Sequence, residues 1–195
     1  MDDKDYAKVV NEVLQSIGPI LDDLKKCLFS RDKRRLNETE KTYMAAVRSS
    51  LPFYEAITAK TEKTEFEEKS LAILPSLQRL GIGVQNLLNG VRTTVEAEIP
   101  FTDKALAEIS EIMALTKDLA RDTNDAMLTK NPHFKQYVAT SAEHIFKRTD
   151  DCVLGHQERL IKGICSPKSS FVYLDIMMAL KRIARELADL SEKAQ

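Results

Sequence analysis

Asp118 and Asp122 stand four residues apart in a stretch of helical periodicity, with Asp125 one turn further on. Two carboxylates at i, i+4 put hard oxygen donors on one helix face, an arrangement suited to iron, manganese or magnesium. Glu143, one helix later, would extend that acidic set. The same acids read more simply as a solvated helix face, and no metal or other cofactor is expected from them. The histidines are His133, His144 and His156. None forms a His-x-x-x-His pair or follows a glutamate at the spacing of a diiron helix. The sequence has no glycine-rich phosphate loop, no Gly-x-Ser-x-Gly elbow and no Cys-x-x-Cys. Gly81-Ile82-Gly83 lies inside a helical pattern and is too short for a dinucleotide fingerprint. These residues argue against an enzyme.

Composition narrows the class further. The 195 residues suffice for a sizeable core, and 43% hydrophobic with 30% charged residues describes a folded globular chain. The 29 basic and 30 acidic residues leave a net charge of −1. A nucleic-acid binder needs a surplus of cations to neutralise phosphates, so none is expected as a partner. No run approaches the roughly 20 apolar residues that span a bilayer, so membrane insertion is not expected. The start, MDDKDYAKVV, is acidic where a signal peptide is basic, and Cys27, Cys152 and Cys165 are odd in number and scattered. Reduced thiols in a cytoplasmic protein are the expectation.

Apolar periodicity places six helices around these residues. The first covers 5–29 and contains Gly18-Pro19; the basic cluster Arg31 to Arg35 follows as a turn. The second runs from about 37 to 61, where Pro52 is expected to bend or break it. A polar run from Thr61 to Lys69 leads into the third, which ends near 96 and contains Pro75. Thr102 caps a fourth from Asp103 to about Leu128. Asn131-Pro132 opens a fifth, to about Ile161, and Ser166-Pro167 opens the sixth. In the sixth, Tyr173, Ile176/Met177, Leu180, Ile183/Ala184, Leu187 and Leu190 form one buried stripe.

The run Leu77-Gln78-Arg79-Leu80-Gly81 in the third helix matches Leu180-Lys181-Arg182-Ile183-Ala184 in the sixth. Two copies of a three-helix unit, 1–98 and 99–195, together forming one domain, are therefore expected.

The last hairpin carries a resemblance. Gly163, Cys165-Ser166-Pro167, Ser170, Tyr173-Leu174-Asp175-Ile176, Leu180, Arg182-Ile183, Ala188-Asp189-Leu190 and Glu192 resemble the corresponding hairpin of PhoU-like proteins, especially those fused to sodium/phosphate cotransporters. His156, near Arg159-Leu160, also falls where such domains carry histidine. The likeness is clearest over 143–194, weaker over 71–92 and architectural elsewhere. It implies an all-α bundle of two tandem three-helix repeats.

In that family the sixth helix continues Leu-Glu-Arg-Ile-Gly-Asp, and the Glu and Asp bind metal. Here Lys181 and Arg185 take those places, about 100° and 140° round from Leu180, and Gln78 and Ile82 take them in the third helix. Cations and an isoleucine cannot hold a metal cluster, so these four residues are read as partner-contacting instead. Lys181 and Arg185 would pair with carboxylates on a neighbouring helix or on a partner.

What the resemblance implies is a non-enzymatic regulatory or adaptor module acting through helix-face contacts. Its partner would be a phosphate transporter or a phosphate-sensing kinase system, with a homodimer as a further assembly. Three alternatives stand beside it. One is a metal-dependent module using Asp118, Asp122 and Glu143. Another is phosphotransfer through His144, since Glu143-His144-Ile145-Phe146-Lys147 resembles a histidine phosphotransfer core, although Arg148 stands where that family has glycine. The third is the tail of a larger cotransporter, against which the starting Met and acidic N-terminus argue.

Overall fold

The computed structural model describes the backbone of residues 3–193 and the side chains of 9–193. These residues form six helices and no strand: α1 (Asp3–Ser30), α2 (Lys33–Thr58), α3 (Glu65–Glu96), α4 (Asp103–Thr129), α5 (Pro132–Ile161) and α6 (Pro167–Lys193). The all-α architecture expected from periodicity is therefore present.

Short polar side chains set where each helix begins. Thr102 accepts from the Ala105 N–H, Asn131 from His133, and Ser166 from Ser169, each quenching a backbone donor that the first turn leaves open. Two helices start earlier than the apolar periodicity places them. Asp32 accepts from the Arg35 N–H at 3.0 Å, so α2 begins inside the basic cluster rather than at 37. Thr64 and Glu67 form a reciprocal capping box, which starts α3 at Glu65 within the run read as polar linker. The far end of α2 is also shorter than expected, closing at Thr58.

The internal prolines do not break their helices. Pro19, Pro52 and Pro75 each lie within an unbroken helix. A proline removes one intrahelical hydrogen bond. Pro52 and Pro75 are on solvent-exposed faces, where water can satisfy the freed carbonyl.

One apolar core runs through both halves of the chain, from Leu14, Ile17 and Leu24 of α1 to Tyr173, Leu180 and Leu187 of α6. Helices α4, α5 and α6 pack closely on one another, whereas α2 and α3 touch less. A smaller cluster, Phe53, Tyr54 and Ile57, closes the far end of α2. The most extensive helix contact joins the two halves, α3 against α6. Gly83 and Gly90 make it close. A Cβ on Gly83 would stand 3.0 Å from Ile183 Cγ1, and one on Gly90 only 2.8 Å from Ile176 Cγ1. The pairing 83 with 183 and 90 with 176 makes α3 and α6 antiparallel.

Candidate functional site

Packed this tightly, α3 and α6 leave a groove of about 680 Å³ along their outer side. From α3 come Arg79, Asn86, Asn89 and Thr93; from α6 come Asp175, Met178, Arg182 and Arg185. At about 100° per residue these rows follow the outward flanks of the glycine–isoleucine seam.

The cations of the groove differ in freedom. Arg79 is held: its Nε donates to Glu186 at 2.8 Å, and its second nitrogen donates to Asp189 at 3.0 Å. Asp189 also accepts from Lys193 at 2.7 Å and from the Ser76 hydroxyl. Burial of Asp189 opposes ionisation, but hydrogen bonds from Lys193 and Ser76, with the Lys193 and Arg79 charges, outweigh it. Its carboxyl is held below the usual carboxylate range.

Lys181 is also held. Its side chain is only 18% exposed, and Nζ donates to Asp150 of α5 at 2.5 Å. The carboxylate expected on a neighbouring helix is thus Asp150, and Lys181 is engaged within the bundle. Arg185 is exposed and lies with its guanidinium 5.6 Å from the Phe146 ring centroid. Arg182 is exposed and has no ion-pair partner among the described residues. Of the cations in the Leu-Lys-Arg-Ile-Ala-Arg run, Arg182 and Arg185 are therefore the ones presented outward.

Gln78 and Ile82 do not join Lys181 and Arg185 in one pocket. Both line a second groove, of about 480 Å³, between α2 and α3. Its walls are apolar, with Val47, Leu51, Leu74 and Leu77. The buried Tyr43 donates from its hydroxyl to the Gly81 carbonyl at 2.9 Å, and burial pushes its pKa up to about 12. Since Gly83 points toward α6 and Gly81 toward Tyr43 of α2, Ile82 sits on the ridge between the two grooves. It is 51% exposed.

The residual acids are not assembled into a metal site. Arg121 lies between Asp118 and Asp122, at 3.2 Å and 3.0 Å. Glu143 is elsewhere, in a groove with Phe146 and Arg185 between α5 and α6. Among the described residues, no three His, Cys, Asp or Glu side chains are grouped to hold one ion. His144 is exposed on α5. Its neighbour Arg148 donates to both oxygens of Glu111, at 2.6 and 2.7 Å, which tie α5 to α4.

A buried polar cluster lies under the last hairpin. Glu108, 3% exposed, accepts from both terminal nitrogens of Arg159, at 3.1 and 2.6 Å, and from the Tyr173 hydroxyl at 2.8 Å. His156 stacks on Tyr173 with ring centroids 4.1 Å apart, and its Nε2 lies 2.9 Å from Ser170 Oγ. Desolvation, then the Arg159 charge, lowers the His156 pKa, so the ring is neutral. Cys165 Sγ is 3.9 Å from His156 Nδ1. Burial raises the Cys152 thiol and takes Cys27 up to about 11, so both are protonated and poor nucleophiles. The arrangement locks α4, α5 and α6 together.

Glu108 carried a signal in the sequence. Ala105, Glu108, Ile109 and Ile112 share one inward stripe, and a carboxylate there demands a buried cation.

Comparison of the chain with family models, with curated proteins and with solved structures yields no match.

Proposed function

We propose that this chain is a PhoU-like regulatory or adaptor module of phosphate transport or phosphate signalling, working by docking the outer face of α3 and α6 on a partner protein. The resemblance supplies the physiological setting and the partner class, a phosphate transporter or a phosphate-sensing kinase system. Two tandem three-helix repeats, 1–98 and 99–195, are part of that reading. The antiparallel seam between the matching helices α3 and α6 supports it.

The observation that carries the docking face is the outward presentation of Arg182 and Arg185 beside Met178, which is 55% exposed, along an open groove. Lys181 and Arg79 are already neutralised within the bundle, so Arg182 and Arg185 are free to meet an external anion. Apolar contact flanked by arginine is what partner surfaces use for affinity and register. The face is therefore suited to an acidic amphipathic helix, with apolar residues against Met178 and Ile82 and carboxylates against the two arginines.

The reading is tested by paired substitution. Arg182→Glu/Arg185→Glu should abolish co-purification with the transporter or kinase partner while the helical circular dichroism is unchanged. Undiminished co-purification would exclude this face.

A further inference from the structure

A different part of the molecule points to a second surface. Because each helix runs antiparallel to the next, the α1–α2 turn, the α3–α4 connection and the α5–α6 turn lie at one end of the bundle. Cross-helix pairs agree: Arg92 near the end of α3 reaches Asn37 and Glu40 near the start of α2, and Arg159 near the end of α5 reaches Glu108 near the start of α4.

Both hairpin tips at this end expose large apolar side chains. Ile161 is 86% exposed, Ile164 58%, Phe171 74%, and Phe29 on the other tip 56%. Each turn is closed by a residue in the left-handed region, Gly163 at φ 70° and Arg31 at φ 55°. Such turns bring the chain back sharply, so the apolar residues stand on projecting corners rather than in a groove.

Exposed cations flank the apolar residues on both tips. Lys162 and Lys168 bracket the second, and Arg31, Lys33 and Arg34 follow Phe29 on the first. Of the acids at this end, Asp32 lies in the first tip itself, where it caps α2 and faces Arg35, and Glu38 faces Arg34. Glu96, Glu98 and Asp103 lie on or beside the α3–α4 connection, and Glu158 is one turn back on α5. Apolar points flanked by exposed cations on both tips match the interface of an anionic bilayer, where the points enter the headgroup layer and the cations meet lipid phosphates.

We infer that this end of the bundle is a peripheral docking surface for an anionic phospholipid membrane, entered by Ile161, Ile164 and Phe29 and held by Lys162, Lys168 and the Arg31–Arg34 cations. Among the described residues no helix is long and apolar enough to cross a membrane, so the contact proposed is interfacial. It does not depend on the α3–α6 face.

The test is co-sedimentation of the full chain with vesicles of phosphatidylcholine alone and of equimolar phosphatidylcholine and phosphatidylglycerol. Binding is expected to the anionic vesicles only and to weaken as salt is raised. Ile161→Ser/Ile164→Ser and Lys162→Glu/Lys168→Glu should each lower the partition coefficient by about tenfold or more. All four side chains are exposed, so circular dichroism should be unchanged, and Arg182→Glu/Arg185→Glu should bind vesicles like the parent. Absence of binding to either vesicle, equal binding to both, or full binding by the two tip variants would overturn the inference. So would a soluble protein partner lost on tip substitution in the absence of vesicle binding.

Discussion

Gly90 lies against Ile176 so closely that a Cβ there would stand 2.8 Å from Ile176 Cγ1. Ile176 is fully buried on the α3–α6 seam and cannot swing away. Gly90→Ala is therefore expected to destabilise the fold. Overpacking costs about 1–3 kcal/mol, against which the helix gain of alanine over glycine returns about 1 kcal/mol. Gly155 on α5 is the control, because a Cβ there meets Arg159 at an ordinary 3.5 Å. Gly155→Ala should leave stability equal or raise it by up to about 1 kcal/mol. Urea unfolding of the two variants checks the contrast.

Tyr173 gives Glu108 a hydrogen bond at 2.8 Å in a fully buried setting. Tyr173→Phe removes that donor but leaves Arg159 in place, and about 1–2 kcal/mol of stability should be lost. Glu108→Ala strands Arg159 without its carboxylate and should cost more, about 3–5 kcal/mol. Equal losses in the two variants would mean that the ion pair is not what holds α4 to α5.

His156 makes stability depend on pH with a definite sign. Burial, followed by the Arg159 charge, lowers its pKa from the ordinary 6.5. The unfolded chain therefore binds a proton that the folded chain does not, so stability rises with pH across this window. As pH falls below about 6.5 the unfolded state takes up the proton first, and stability declines until the folded-state pKa is passed. Thermal melts between neutral pH and mildly acidic pH should show this loss, and His156→Gln should flatten it. A parent melting curve that does not move would contradict the buried neutral ring.

Lys181 and Arg182 are adjacent in sequence but differ in role. Lys181→Met should cost about 0.5–1 kcal/mol through loss of the Asp150 bridge, and leave partner binding unchanged. Arg182→Glu should shift stability by less than about 0.5 kcal/mol and weaken partner binding. Chemical denaturation and co-purification, measured on both variants, separate the two.

Much of the fold was legible because helix periodicity and N-cap residues are local signals. Thr102, Asn131-Pro132 and Ser166-Pro167 announce helices that begin there. Asp32 and Thr64 do the same work but were hidden, one among arginines and lysines and one in a polar run. Pro52 does not break its helix, since a helix carries a proline when the freed carbonyl faces water. The candidate site was less legible. The sequence marks Lys181 and Arg185 by their place in a repeated motif, but which cation is free depends on Asp150 and Phe146, side chains of another helix. Gln78 and Ile82 share a helix with the α3–α6 seam, yet the turn of that helix puts them on the rim of a different groove. Glu108 could have been found as a charge on an apolar stripe. Its partners, Arg159 and Tyr173, come from two other helices.

The docking face is tested most directly by placing a photo-crosslinking amino acid at Arg182, and at the exposed Asp118 on α4 as a control, in cells with and without phosphate. A cross-link from position 182 to a phosphate transporter subunit or a phosphate-sensing kinase, not seen from 118, is the expected result. No cross-link from 182 in either condition, or the same products from both positions, would contradict an adaptor that works through α3 and α6.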